Sequence, residues 1–176
     1  SPWTALAVPP VHDEDGGTPL ALYARSALAP LDSPATMNRL VDEIDWRTEE
    51  LVLFGKRRLV PRLVAFHGNE GLEYTYSRTV HRAEPWTPVL EEVRRMTEAV
   101  TGRPFNSVLC NLYRDGQDSM GWHSDDEPEL GSRPVIAVLS LGAARRFELR
   151  VAPLGWEACI VWRMERCSEC WRQWPS

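Results

Sequence analysis

Asn111-Leu112-Tyr113-Arg114-Asp115-Gly116-Gln117-Asp118-Ser119-Met120-Gly121-Trp122-His123-Ser124-Asp125-Asp126-Glu127 is the stretch on which the reading of this chain turns. In an extended backbone successive side chains point to opposite faces, so Asn111 and Tyr113 share one face while Cys110 and Leu112 take the other. The same period puts His123 and Asp125 on one side, where an imidazole nitrogen and a carboxylate oxygen converge on a single cation. One nitrogen and one hard oxygen suit divalent iron. A non-haem iron oxygenase needs two histidines and one carboxylate on one face of the metal, with the remaining positions open.

Outward from that stretch the chain reads as strands. Ser107–Tyr113 precedes it, and Pro134–Leu141 and Arg145–Val151 follow, the last two joined as a hairpin at Gly142-Ala143-Ala144. Upstream, Thr87-Pro88 opens a helix whose buried face is Val89, Leu90, Val93, Met96, Thr97 and Val100, ended by Gly102 and Pro104. Alternation in Glu73–Ser77 places Tyr74 and Tyr76 together. Leu51–Phe54 and Leu63–Phe66 are short apolar runs of strand type. Ser33-Pro34 is an N-cap followed by proline, and Met37, Leu40, Val41 and Ile44 form the apolar face of the helix it starts. Leu20–Ala27 is a further strand. Residues 1–19 carry four prolines and an acidic cluster, Asp13-Glu14-Asp15, without apolar periodicity, and are expected to be a flexible lead-in. Two helices followed by many strands predict an α+β fold in one domain, residues 20–155, with an atypical tail at 156–176.

The bulk numbers set bounds. A length of 176 residues with 43% hydrophobic and 26% charged content is that of one ordinary globular domain, and no run of about 18 apolar residues spans a membrane. A net charge of -5 excludes nucleic-acid binding through a diffuse basic surface, so any such contact is local. Lys56-Arg57-Arg58 with Arg62 supplies a patch suited to phosphate. The four cysteines do not space like a disulfide framework and are expected to be thiols in a cytoplasmic setting. Cys167-x-x-Cys170 lacks the second ligand pair of a zinc site.

Taken in order, Pro61-Arg62, Tyr74-x-Tyr76-Ser77, Pro85-Trp86-x-Pro88, Phe105-Asn106, Asn111-x-Tyr113-x-Asp115-Gly116-x-Asp118, His123-x-Asp125-Asp126-Glu127, Pro134-x-Ile136-Ala137, Ser140-Leu141-Gly142 and Arg145-x-Phe147-x-Leu149-Arg150 resemble the AlkB-like family of iron and 2-oxoglutarate dioxygenases. The resemblance covers about residues 20 to 150 and is nearest to the branch that repairs nucleic acids. It implies a double-stranded β-helix (jelly-roll) core with flanking helices. It implies His123 and Asp125 as Fe(II) ligands, and Asn111 and Tyr113 as contacts of 2-oxoglutarate. Tyr74 and Tyr76 would stack on a base flipped from its strand, with Asp126 and Glu127 facing its exocyclic groups. Phe54, on a hairpin with Gly55-Lys56, would wedge into a duplex, and Arg62 would lie near the strand. Arg145 would help to orient the site. The implied reaction uses Fe(II), 2-oxoglutarate and O2 to hydroxylate an alkyl group on a base nitrogen of alkylated DNA or RNA, and the adduct decays to formaldehyde and the restored base. No protein partner and no membrane enters this picture, and the setting is cytoplasmic, or nuclear in a eukaryote.

The sequence departs from the family pattern after Asp125. The family's third iron ligand is a histidine some tens of residues further on, followed by arginines that hold the 2-oxoglutarate carboxylates. Here the histidines are His12, His67, His81 and His123, and none follows. Trp156, Trp162, Trp171 and Trp174 crowd the tail with Cys159, Cys167 and Cys170, a text expected from a frameshifted or truncated reading. Two readings result: a demethylating dioxygenase, doubtful in activity without its third histidine, or a catalytically inactive nucleic-acid-binding remnant of one.

Overall fold

The computed structural model describes residues 4–5, 22–24, 28–53, 55–76, 79–123, 125, 135–154 and 157–164; for 4–5, 22, 51–53, 74–76, 79, 149–154 and 157–164 it describes the backbone alone. Two helices, α1 (Pro34–Glu43) and α2 (Pro88–Thr101), accompany strands β1 (Thr4–Ala5), β2 (Leu22–Tyr23), β3 (Glu50–Leu53), β4 (Lys56–Leu59), β5 (Leu63–Gly68), β6 (Glu73–Tyr76), β7 (Thr79–Arg82), β8 (Ser107–Leu112), β9 (Met120–His123), β10 (Phe147–Leu154) and β11 (Glu157–Met164). The mixed helix and strand content agrees with the expected α+β class.

Both helices begin as their sequences dictate. Ser33 Oγ accepts from the Thr36 N–H at 3.2 Å, and Thr87 Oγ1 accepts from the Leu90 N–H at 3.3 Å, each cap followed by proline. α2 ends at Gly102, whose φ of 66° lies in the left-handed region that glycine enters without steric cost. The helices meet through a carboxylate. Glu43 Oε2 accepts from the Val89 N–H at 2.9 Å, on the first turn of α2, and Arg39 joins Glu43 to Glu92 at 3.0 and 2.7 Å.

The core lies between these helices and one face of a two-stranded sheet. β5 pairs antiparallel with β8 in a register that sets Ala65 against Cys110 and His67 against Val108. Ile44, Ala65, Val89 and Leu90 form the buried cluster, with Leu40, Trp46, Trp86, Val108 and Cys110 packed around it. Arg47 bridges to Val64 and Glu84 to His67, so β5 has neighbours on both edges. His67 sits in this layer with 3% exposure, its Nδ1–H donating to the Pro85 carbonyl at 2.7 Å.

Two expectations are corrected. Residues 135–141 form no strand although their apolar residues are right for one. Val135, Ile136, Val138 and Leu139 are exposed, and no strand pairs with them among the described residues. Apolar pattern alone does not make a strand, because the ladder's hydrogen bonds come from a partner distant in sequence. The hairpin therefore does not turn at Gly142-Ala143-Ala144. It joins β10 to β11 instead, with Leu154 opposite Glu157. Of the strand expected at Leu20–Ala27 the structure describes β2, which pairs with β1; residues 20–21 and 25–27 lie outside the described residues. β11 also pairs with β9, placing Trp162 opposite His123 in register, so part of the Trp-rich tail enters the same sheet as the first metal-binding candidate.

Candidate metal and co-substrate site

β8 and β9 are joined by a turn that fixes how their ends face each other. Asp115 Oδ1 accepts from the Gln117 N–H at 2.7 Å and the Asp118 N–H at 3.3 Å, the side-chain-to-backbone turn that an Asp-Gly pair favours. Asp118 closes it. Its carboxylate, 4% exposed at residue level, accepts from the Arg114 backbone N–H at 2.9 Å and from the Arg114 guanidinium at 2.8 and 3.0 Å. The Arg114 guanidinium beside it holds the Asp118 carboxyl below the usual carboxylate range, against the opposing effect of burial. The turn is further tied to the chain before β5, since the Ser119 N–H donates to the Pro61 carbonyl at 2.9 Å.

At the end of β9, His123 Nε2 and Asp125 Oδ1 are 3.6 Å apart, both side chains more than two-thirds shielded. His123 Nδ1 lies 3.0 Å from the Gly121 carbonyl, which only accepts, so Nδ1 carries a proton, and Nε2 is the ring nitrogen on the Asp125 side. A backbone carbonyl that fixes the tautomer in this way is the usual support of a metal-ligating imidazole. Nitrogen and carboxylate oxygen at this spacing fit a divalent cation of the iron type. No group of three or more His, Cys, Asp or Glu placed to hold a metal occurs among the described residues.

The co-substrate candidates lie on the strand before the turn. Asn111 is on the face of β8 opposite Cys110 and Leu112, as the period required. Burial pushes the Cys110 thiol up to about 12, while Asn111 faces away from that apolar layer. Tyr113 follows just past β8. Its ring carries the Arg145 guanidinium at 4.4 Å, and its hydroxyl reaches Met120 Sδ on β9 at 3.9 Å. Burial raises the Tyr113 phenol above its ordinary value, while the Arg62 and Arg145 charges act to lower it.

Arg62 stands elsewhere than the sequence placed it. It was grouped with the exposed Lys56-Arg57-Arg58, but it is 5% exposed and its Nε donates to Asn111 Oδ1 at 2.6 Å. A guanidinium buried there serves the interior of the site and not a phosphate on the outer surface. Lys56, Arg57 and Arg58 do lie on the exposed β4 of the β3–β4 hairpin. Tyr74 and Tyr76 are on one strand, opposite His81 and Thr79, and their side chains lie outside the described ones; Phe54, Asp126 and Glu127 lie outside the described residues.

A family profile described as the 2OG-Fe(II) oxygenase superfamily matches residues 21–166. The chain belongs to this superfamily. Within it the chain is AlkB-like. It is 48% identical over 118 residues to the rat alpha-ketoglutarate-dependent dioxygenase alkB homolog 3, covering 66% of this chain and 39% of that protein. Against the human protein of that name the figures are 45% over 118 residues, 66% and 41%. Against the human DNA oxidative demethylase ALKBH2 they are 45% over 114 residues, 63% and 44%. The chain thus spans about two fifths of the length of the curated relatives it matches. As a 2OG-Fe(II) oxygenase sequence it was legible through the motifs on β8 and β9. Missed were the Arg62–Asn111 contact, the stacking of Arg145 on Tyr113 and the strand β11, because each joins residues far apart in sequence.

Proposed function

We propose that this chain is the metal- and co-substrate-binding part of an Fe(II)/2-oxoglutarate-dependent dioxygenase that demethylates alkylated bases in DNA or RNA, working in the cytoplasm or nucleus. The observation that carries the reading is the His123–Asp125 pair, tautomer fixed, one turn along the chain from Asn111 and Tyr113. The relatives named as alkB homolog 3 and DNA oxidative demethylase support it. A jelly-roll core over residues 20–155, with β11 contributed by the tail, is part of the same proposal.

His123 and Asp125 would hold iron(II), with 2-oxoglutarate and O2 as co-substrates; together they supply an oxidant strong enough to hydroxylate an N-methyl group. The protein's own contribution is placement. Asn111 and Tyr113 would bind and orient 2-oxoglutarate, and Arg62, through Asn111, keeps that side chain in one rotamer. Tyr74 and Tyr76 would stack on the extruded base, and Asp126 and Glu127 would favour a base made cationic by alkylation. Phe54 on the β3–β4 hairpin would fill the gap left by the base, beside the exposed Lys56-Arg57-Arg58.

A second reading, a nucleic-acid-binding relative without turnover, stands beside it: the histidines among these 176 residues are His12, His67, His81 and His123, and the second histidine ligand that the resemblance implies is not one of them. Succinate release with Fe(II), 2-oxoglutarate and methylated oligonucleotides separates the two. Turnover coupled to loss of the methyl group supports the dioxygenase. Oligonucleotide binding without succinate supports the second reading and refutes the first.

A further inference from the structure

Arg145 reaches back across about thirty residues to the turn between β8 and β9. Its Nη1 donates to the Asp118 carbonyl at 2.8 Å and its Nη2 to the Asp115 carbonyl, while its plane lies 4.4 Å from the Tyr113 ring centroid. One guanidinium thus holds both ends of the turn and the ring beside it. Two parallel N–H donors and a stacking plane are what arginine offers and lysine does not. Tyr113 in turn touches Met120 at the start of β9, three residues before His123.

We infer that Arg145 is a positioning residue: it fixes the Tyr113 ring and the Asp115–Asp118 turn in one arrangement, and so sets the distance between the 2-oxoglutarate contacts at the end of β8 and the metal ligands at the end of β9. The geometry of the clamp stands by itself, and its consequence for 2-oxoglutarate rests on the function proposed above. Arg62 acts on Asn111 and Arg145 on Tyr113, so each co-substrate contact has its own buried or half-buried arginine. The Asp118 carboxylate accepts from the Arg114 guanidinium, and the Arg145 charge acts on it as well.

The test uses the full chain with Arg145→Met and Arg145→Lys, the second keeping charge and bulk should the first fail to fold. Titration of the Tyr113 phenol by ultraviolet absorbance, isolated by subtraction of the Tyr113→Phe variant, reads the clamp without any co-substrate. Losing the cation over the ring should move that titration to higher pH in Arg145→Met, and by less in Arg145→Lys. Calorimetric titration of 2-oxoglutarate with Mn(II) in place of iron should show affinity weakened about tenfold in Arg145→Met, with Mn(II) binding alone unchanged. A Tyr113 titration identical to that of the unaltered chain overturns the inference, as does a variant of lower melting temperature with unchanged 2-oxoglutarate affinity. If the unaltered chain with Mn(II) binds no 2-oxoglutarate, the proposed function fails, and the phenol titration still decides whether Arg145 positions Tyr113.

Discussion

Replacing Asn111 with leucine should cost this protein more stability than any surface substitution, because it strands a buried cation. Arg62 is 5% exposed and its Nε donates to Asn111 Oδ1 at 2.6 Å. A hydrogen bond to a charged group contributes roughly 1.5–3 kcal/mol, and a guanidinium left buried without its acceptor loses that and the desolvation it cannot recover. Asn111→Leu should therefore destabilise by about 3 kcal/mol, lowering the melting temperature by roughly 6–12 °C for a domain of this size. Arg62→Met removes the charge itself and leaves only a neutral amide oxygen unpaired, at about 1–2 kcal/mol. The double variant places two apolar groups against each other, so its cost should fall short of the sum by about 2 kcal/mol. Urea unfolding followed by circular dichroism gives all three differences, with unchanged slopes confirming that the midpoints are comparable. An Asn111→Leu variant within about 0.5 kcal/mol of the unaltered chain, or strict additivity in the cycle, would refute the claim that this contact is a buried, mutually dependent pair.

Three further outcomes follow from the same structure. Glu43, Glu98 and Asp118 all have carboxyl values lowered in the folded state, by the Val89 N–H, the Phe105 N–H and the Arg114 guanidinium respectively. Groups of this sign stabilise above their unfolded values, 4.5 for Glu and 3.8 for Asp, and that contribution is lost as pH falls through the lower folded values. Melting temperature should then drop below about pH 4.5, and less steeply in Asp118→Asn; an equal acid slope in the variant would contradict the assignment. Cys110, its thiol pushed up to about 12, should resist iodoacetamide at pH 8 in the native protein and react after urea unfolding; peptide mapping that finds it alkylated at the rate of a free thiol would contradict its burial. Gly102→Ala should cost about 1 kcal/mol from its left-handed φ alone, since nothing lies within 4 Å of the added methyl; a variant as stable as the original would show that the helix end relaxes.

How much was legible in advance depended on the range of the interaction. Both helices were readable because Ser33-Pro34 and Thr87-Pro88 cap within three residues and Gly102 ends α2 by its own backbone freedom. The face carrying Asn111 was readable from period two, and Cys110 on the opposite face does pack in the core. The segment 135–141 was misread for the complementary reason: its apolar residues favour a strand, but pairing is decided elsewhere in the chain. Arg62 was misplaced because charge next to Lys56-Arg57-Arg58 suggested surface, whereas the Pro61–Ser119 contact draws it inward to Asn111. Arg145 was expected to help orient the site; its contacts with Tyr113 and the Asp115–Asp118 turn, far apart in sequence, were not legible.

The central claim is that His123 and Asp125 share one metal ion, and anaerobic titration of Fe(II) into the unaltered chain, His123→Ala and Asp125→Ala addresses it most directly. One site is predicted in the unaltered chain, tightened by 2-oxoglutarate and weakened at least tenfold in each variant. Variants that bind Fe(II) as the unaltered chain does, or an unaltered chain that binds none, would contradict it.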